Sequence, residues 1–423
     1  MEHSSDFKST LKHNVIVNLL DGGFFGFAIG FASFSTVIPL FVSGMTSSAI
    51  LIGLVPAIHN MGWLLPQLFS AGRLTRLKRF KPFVMATTIL ERIPFLFLAL
   101  IALFQPKLGI PLALVLTFIS LVFQGLGAGV VANAWQNMIQ KVIPSEFRST
   151  FFGLQSASSN LLGSLGAVVA GMLLELHAAP KSFFYCFAFS CVWMVVSWIF
   201  LDKTREDDRV LEPLKDIPVP LLSSMRSILA NNPSFRWYLI SRIIWQFGMM
   251  AFAFYVVYAV RFLGMSELTA GVMTSVLFFT QVIFNPLAGW LADRWSRKAM
   301  LVVGGLATCL SPLLAFLAPS LPWFYPVFVL NGMSAVAFWT MGISYTLELG
   351  TDEDRPIYVG MSNTLIAPFA ILAPIFGGWL ADNSGYPVTF IVSAIFGLLT
   401  ALLLLFFVHD PKSTHRSKAA HES

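Results

Sequence analysis

The chain has 423 residues, 56% of them hydrophobic and 11% charged, with 41 phenylalanines and a mean hydropathy of +0.75, whereas an ordinary soluble domain is roughly 25% charged. These values exclude a soluble globular core of this size. The net charge of +6 and the pI of 9.3 do not point to nucleic acid, because the bases sit in short loops between apolar runs, where they orient a chain in a bilayer.

A helix needs about 20 apolar residues to cross a hydrocarbon core of about 30 Å. On that criterion the first half predicts spans at 14–42, 47–71, 83–104, 110–138, 151–176 and 182–201. The polar start 1–13 enters the first run without a small-residue cleavage pattern, so the run reads as a retained span and not as a signal peptide. The longest polar stretch follows, 202–236, with Pro213, Pro218, Pro220 and Pro233. It is expected to be a linker, with 221–230 a short helix on the interface. Six more spans are predicted at 237–263, 267–290, 299–317, 322–347, 358–381 and 387–408. The plan is an all-α membrane protein: a six-helix bundle over 1–201, a cytoplasmic linker over 202–236, and a second six-helix bundle over 237–423 with a short cytoplasmic tail.

Lysine and arginine collect on cytoplasmic loops. With the N-terminus inside, the outer loops hold only Lys107, Lys181 and Arg261, Arg92 and Arg242 fall within spans, and every other one of the 27 bases lies on an inner segment. Both termini are therefore expected in the cytoplasm, in the plasma membrane. Cys186, Cys191 and Cys309 form no ligand pattern, so neither disulfide nor metal is expected. There is no Walker A loop, no H-E-x-x-H and no nucleophile elbow, which speaks against ATP-driven transport, hydrolysis or a cofactor.

The halves repeat. Arg148, Gly153 and Gly171 match Arg355, Gly360 and Gly378 at one constant spacing, and Trp135 matches Trp339. Between the eighth and ninth spans stand Gly289, Asp293, Arg294, Arg297 and Lys298. This order, G-x-x-x-D-R-x-x-R-K, resembles the loop signature of the major facilitator superfamily of secondary transporters, with Ser296 in place of that family's second glycine. The resemblance covers nearly the whole chain and implies two pseudo-symmetric bundles with substrate held near the midplane between them. Pro374, Gly377 and Gly378 look like the core of the family's antiporter signature, but in span 11, whereas antiporters carry it in span 5.

An ionisable side chain inside a membrane costs about 2.5 kcal/mol or more and needs a reason. Asp21 lies about two turns into the first span, where it is either a carboxylate favoured by the helix N-terminus or a protonatable coupling group. Glu91 and Arg92 lie at similar depth in the third span. Adjacent helical residues do not face each other, so each needs a partner on another helix, and Asp21 is the expected partner of Arg92. Such a pair either fastens the bundle or switches during a transport cycle. Arg242 is expected to snorkel to the surface and Glu348 to be interfacial. His59, at mid-depth, is a packing residue or a proton carrier.

Gln124, Asn160, Gln246, Gln281 and Asn331 all fall near mid-span. The superfamily resemblance implies that spans 1, 4, 7 and 10 line the cavity with 2, 5, 8 and 11 at its sides. These amides would then ring the cavity, with Trp135, Trp245, Tyr255, Tyr258 and Trp339 as aromatic walls. The alternative is that they join helices as packing residues. The resemblance also places the loop of Asp293 beside Arg148, and the basic loop carrying Arg73 beside Asp352, Glu353 and Asp354, which precede Arg355. That contact would be a gate of reversed polarity.

The expected function is secondary active transport of a small neutral or amphipathic solute by alternating access, coupled to protons through Asp21 or Glu91. Export of amphipathic compounds and uptake of a sugar-like solute are both open, as is a non-translocating membrane sensor on the same fold. The expected partners are the solute, protons and the lipid bilayer, with no nucleic acid, and the expected working unit is a monomer.

Overall fold

The computed structural model describes residues 2–74, 77–207, 221–349 and 355–410, excluding the side chains of 2–7, 67–74, 221–225 and 355–357. Twelve helices among them are long and apolar enough to cross a membrane. In chain order they are span 1 (Lys8–Phe31), span 2 (Ala49–Pro66), span 3 (Lys81–Leu108), span 4 (Ile110–Val142), span 5 (Ser145–Leu176) and span 6 (Lys181–Asp202), followed by span 7 (Pro233–Leu263), span 8 (Glu267–Arg294), span 9 (Arg297–Leu317), span 10 (Leu321–Leu349), span 11 (Tyr358–Ser384) and span 12 (Tyr386–Phe407). Large apolar side chains stay on the outside, as with Phe123 at 58% exposure and Phe406 at 71%, which suits a surface solvated by lipid tails. A short helix, Leu221–Asn231, precedes span 7. Asn232 then caps the span, its Oδ1 accepting from Phe235 N at 3.0 Å, with Pro233 at the first helical position.

One expected run and two of the spans are not continuous α-helices. The sequence predicts one run through 14–42, but the helix stops at Phe31 and restarts as Val37–Ser43. The hydroxyl of Ser33 accepts from Val37 N at 3.1 Å, so polar residues at the break satisfy the freed backbone. Span 7 passes through a 3-10 turn at Met250–Phe254, and span 10 through a π-helical stretch at Val336–Met341. Such irregular backbone at membrane depth is tolerated only where protein or a cavity surrounds it.

The chain divides into two compact units, Met1–Asp216 with Val256–Val282, and Ile217–Tyr255 with Ile283–Ser423. In the first, the segment from spans 7 and 8 is tied to the N-terminal helices. Ser164 and Ser275 hydroxyls meet at 2.9 Å, those of Thr36 and Thr274 are also bonded, and Arg261 Nη2 donates to the carbonyls of Ser43 and Thr46. Spans 3 and 4 approach backbone to backbone at Gly127, where a Cβ would stand 2.6 Å from Glu91 N and from Leu90 C. Small residues permit such approaches between membrane helices.

In the same unit, the residues after span 6 are fastened to three other elements. Glu206 accepts from Phe80 N at 2.9 Å, Lys81 N at 2.7 Å and Lys141 Nζ at 3.0 Å. Asn14 exchanges two hydrogen bonds with the backbone of Arg205, at 2.9 and 2.8 Å. The second unit is built around Phe235, Tyr238, Trp245, Leu301, Phe338, Tyr345 and Leu404.

Candidate functional site

The first unit encloses a cavity of about 510 Å³, lined among others by Asp21, Phe25, Trp63, Glu91, Arg92, Trp135, Gln155, Asn160 and Gln281. A second chamber of about 240 Å³ shares Phe25, Trp63, Glu91, Ser159 and Asn160 with it and adds Phe34, His59, Gln124 and Phe278. Glu91 thus stands on the wall of both.

Three helices assemble the charged cluster. Asp21 on span 1 and Arg92 on span 3 are an ion pair, with Arg92 Nη2 at 3.5 Å from Asp21 Oδ1. Ser197 on span 6 lies between them: its hydroxyl donates to Asp21 Oδ1 at 2.6 Å and accepts from Arg92 Nη2 at 3.0 Å. Arg92 Nε donates to Met194 O at 3.3 Å, and the guanidinium lies 5.4 Å from the ring centre of Phe25. Glu91 points elsewhere, as adjacency on a helix requires, and its carboxylate has no hydrogen-bond partner among the described residues. Pro94 supplies no N–H to Leu90 O, just where Gly127 lets span 4 come close.

The chamber beyond Glu91 is aromatic. Phe34 stacks on His59 with ring centres 3.9 Å apart and planes at 16°. His59 Nδ1 and Gln124 Oε1 are 3.0 Å apart, which fixes the ring, while in the larger cavity Trp135 meets Phe152 edge-on at 6.0 Å. Asn160 Nδ2 donates to Ser156 Oγ at 3.4 Å.

The expected amides fall in both units. Gln124, Asn160 and Gln281 line the cavity of the first unit, whereas Asn331 is turned into the second, its Nδ2 donating to Ser311 Oγ at 2.6 Å and to Val327 O at 3.1 Å. Of the expected aromatic walls, Trp245 is buried, stacked on Phe338 at 4.5 Å, and donates to Ser334 Oγ at 3.0 Å. Tyr255 is buried and accepts from Ser311 at 3.1 Å. Gln246 is also buried in that unit, Trp339 meets Trp245 edge-on at 6.3 Å, and Tyr258 stacks on Phe262 at 5.4 Å. Arg242 does not snorkel: it is buried, donates from Nη1 to Ser362 Oγ at 2.9 Å and lies over the ring of Tyr238.

The loop between spans 8 and 9 explains its own departure from the signature. Ser296 is extended, and its hydroxyl caps span 9 by accepting from Ala299 N at 2.9 Å, so serine supplies a cap that glycine lacks. Arg297 pairs with Glu348, Lys298 Nζ donates to Leu405 O at 2.9 Å, and Arg294 lies 4.1 Å from the ring centre of Trp290. At Gly289 an added Cβ would meet nothing within 4 Å. Arg148 donates to the carbonyls of Ile143 and Gln140 at the end of span 4. Asp352, Glu353 and Asp354, with the side chains of Arg73 and Arg355, lie outside the described residues.

The family model described as Major Facilitator Superfamily matches residues 22–262 and 247–423. The chain belongs to the major facilitator superfamily. Its twelve apolar helices and this membership make it a multi-pass integral membrane protein. Among relatives of this superfamily, "Multidrug resistance protein 1" of Bacillus subtilis (strain 168) is 32% identical over 36% of this chain and 38% of its own length. "Quinolone resistance protein NorA" of Staphylococcus aureus (strain Mu50 / ATCC 700699) is 23% identical over 37% of this chain and 40% of its own length. The chain therefore matches well under half the length of either relative. Among solved superfamily structures, the inward-open xylose transporter XylE from E. coli superposes with a TM-score of 0.71 at 15% identity, over 95% of this chain and 97% of its own. A point mutant of the nucleoside transporter NupG gives 0.72 at 12% identity over 94% and 100%. These likenesses establish the fold.

Sequence reasoning missed Ser197, Phe34 and Gln155. For Ser197 a signal existed: with Ser190 it lies seven residues apart in an otherwise apolar run, on one helix face, and both are fully buried.

Proposed function

We propose that this transporter exports amphipathic small molecules across the plasma membrane in exchange for protons, by alternating access of two halves, 1–201 and 237–423, joined by the linker 202–236. Both termini are assigned to the cytoplasm, and the monomer is the working unit. The observation that carries this reading is the wall of the first unit's cavity. A carboxylate without a hydrogen-bond partner, Glu91, stands there beside a bridged ion pair, amid Phe25, Phe34, Trp63 and Trp135. Aromatic side chains set among hydroxyls, amides and charged groups on one wall suit an amphipathic ligand, and ionisable groups inside a membrane mark ion pathways. The names of the two multidrug and quinolone resistance relatives are consistent with it.

The test is uptake into sealed proteoliposomes that hold the purified chain. Accumulation of an amphipathic substrate that collapses on adding a protonophore supports the proposal. Flux that is indifferent to the gradient makes the protein a uniporter, and binding without flux makes it a sensor.

A further inference from the structure

The three charged side chains of the first unit's cavity are not equivalent. Arg92 and Asp21 consume each other's charge, and Ser197 makes the pair a closed unit: its one proton goes to Asp21 Oδ1 and its lone pair to Arg92 Nη2. Ser197 is wholly buried, so water does not compete for these bonds. Glu91 is left over. Among the described residues, no base other than its chain neighbour Arg92 lines the cavity with it, and the remaining titratable group there, His59, has its Nδ1 engaged by Gln124 on the far side of the shared wall. The elements facing Glu91 from spans 4, 5 and 8 contribute only uncharged groups, Gln124, Gln155, Asn160, Gln281 and Phe278 among them. A buried carboxylate without a partner is too costly to persist as a bare charge. It must hold a proton or receive a cation.

We propose that Glu91 is an exchangeable single-charge site, filled alternately by a proton and by the ammonium group of an aromatic organic monocation, and that Ser197 keeps Asp21 out of the exchange. The aromatic part of the ligand enters the chamber of Phe34, His59 and Phe278. Its charged end lies at Glu91 beside Phe25 and Trp63, aromatic residues that line both chambers and whose type attracts cations. In the exchange the carboxylic O–H bond of Glu91 breaks, the proton leaves to water, and the electron pair stays on the carboxylate that meets the ammonium. One proton is released for each cation bound. The proposal rests on the reading of this cavity as the place where the solute binds.

The probe is phenylpropyltrimethylammonium, whose charge is fixed, so any released proton comes from the protein; 3-phenylpropanol is the uncharged comparison. Binding to the purified full chain is measured in weak buffer over a pH series, together with proton release. Wild type is expected to release up to one proton per cation, with affinity falling about tenfold per pH unit on the acid side, and none for the alcohol. Glu91→Gln should abolish release and weaken the cation at least tenfold while the alcohol binds as before. Should the alcohol be lost too, Glu91→Asp must restore cation binding with release. Ser197→Ala should raise release above one proton per cation, and Ser197→Thr should return it to one. Cation binding without release at every pH, release that survives Glu91→Gln, an inactive Glu91→Asp, or Ser197→Ala unchanged from wild type would each overturn the proposal. Proton-linked binding with no flux in sealed vesicles would instead sink the transport reading and leave the site standing. Flux untouched by Glu91→Gln would do the reverse.

Discussion

Arg92 is the residue on which the charged cluster balances. Its removal leaves Asp21, 5% exposed, with one hydroxyl for company, and breaking a buried pair from one side costs about 3–5 kcal/mol. Arg92→Ala is therefore expected to lower the thermal midpoint of the purified protein sharply. Asp21→Asn with Arg92→Gln, which removes both charges, should recover much of the loss; a double variant as unstable as the single one would show that the arginine acts through packing alone. The Asp21–Arg92 contact was legible in the sequence because both residues start at similar depth from the same face and neither can be left unpaired. Ser197 was only half legible: its spacing from Ser190 marks a helix face, but buried hydroxyls such as those of Thr117 and Ser120 bond the carbonyl four residues back in their own helix, so the serine alone does not name a partner on another helix. Arg242 misled for a related reason: a long flexible stem reads the same in sequence whether it turns outward or, as here, inward to Ser362.

Among elements, spans 3 and 4 set the position of Glu91 through one close approach. At Gly127 an alanine methyl would meet Glu91 N at 2.6 Å, and the atoms it meets are backbone, so the helices must part. Gly127→Ala should destabilise the protein and weaken cation binding together. Gly153 on span 5 is the control, since nothing lies within 4 Å of its added Cβ and alanine is preferred over glycine in a helix by about 0.5–1 kcal/mol. Gly153→Ala should raise the thermal midpoint slightly. If both variants move it the same way, the close approach does not hold Glu91 in place. The spans themselves were legible because lipid demands long apolar runs and self-satisfied backbones. The interruptions after Phe31 and within spans 7 and 10 were not, since apolar runs continue through them and only the local bonding, such as Ser33 to Val37 N, marks the change.

At the scale of the whole molecule, the twelve-span plan and the family were legible from loop charges and one loop motif, and depth within the spans picked out many of the residues that line the first unit's cavity without separating them from residues packed elsewhere. Mid-span depth alone gave Gln124 and Asn331 the same standing, and only tertiary contacts separate a residue on a cavity wall from one bonded to Ser311 and Val327. The charge bookkeeping of Glu91 then fixes what can drive transport. If one proton enters for each monocation that leaves, no net charge crosses the membrane in a cycle. The membrane potential, worth about 2.3 kcal/mol per charge per 100 mV, then contributes nothing, and only the pH difference drives export, about tenfold in accumulation per unit. An uncharged substrate exchanged for the same proton carries one positive charge inward, so the potential and the pH difference both drive it. In proteoliposomes, potassium with valinomycin, which clamps the potential, should leave export of phenylpropyltrimethylammonium unchanged and reduce that of a neutral amphipath. Nigericin, which dissipates the pH difference, should halt the cation. Export of the cation that responds to valinomycin would mean that more than one proton moves per cycle, and that Asp21 or His59 exchanges alongside Glu91.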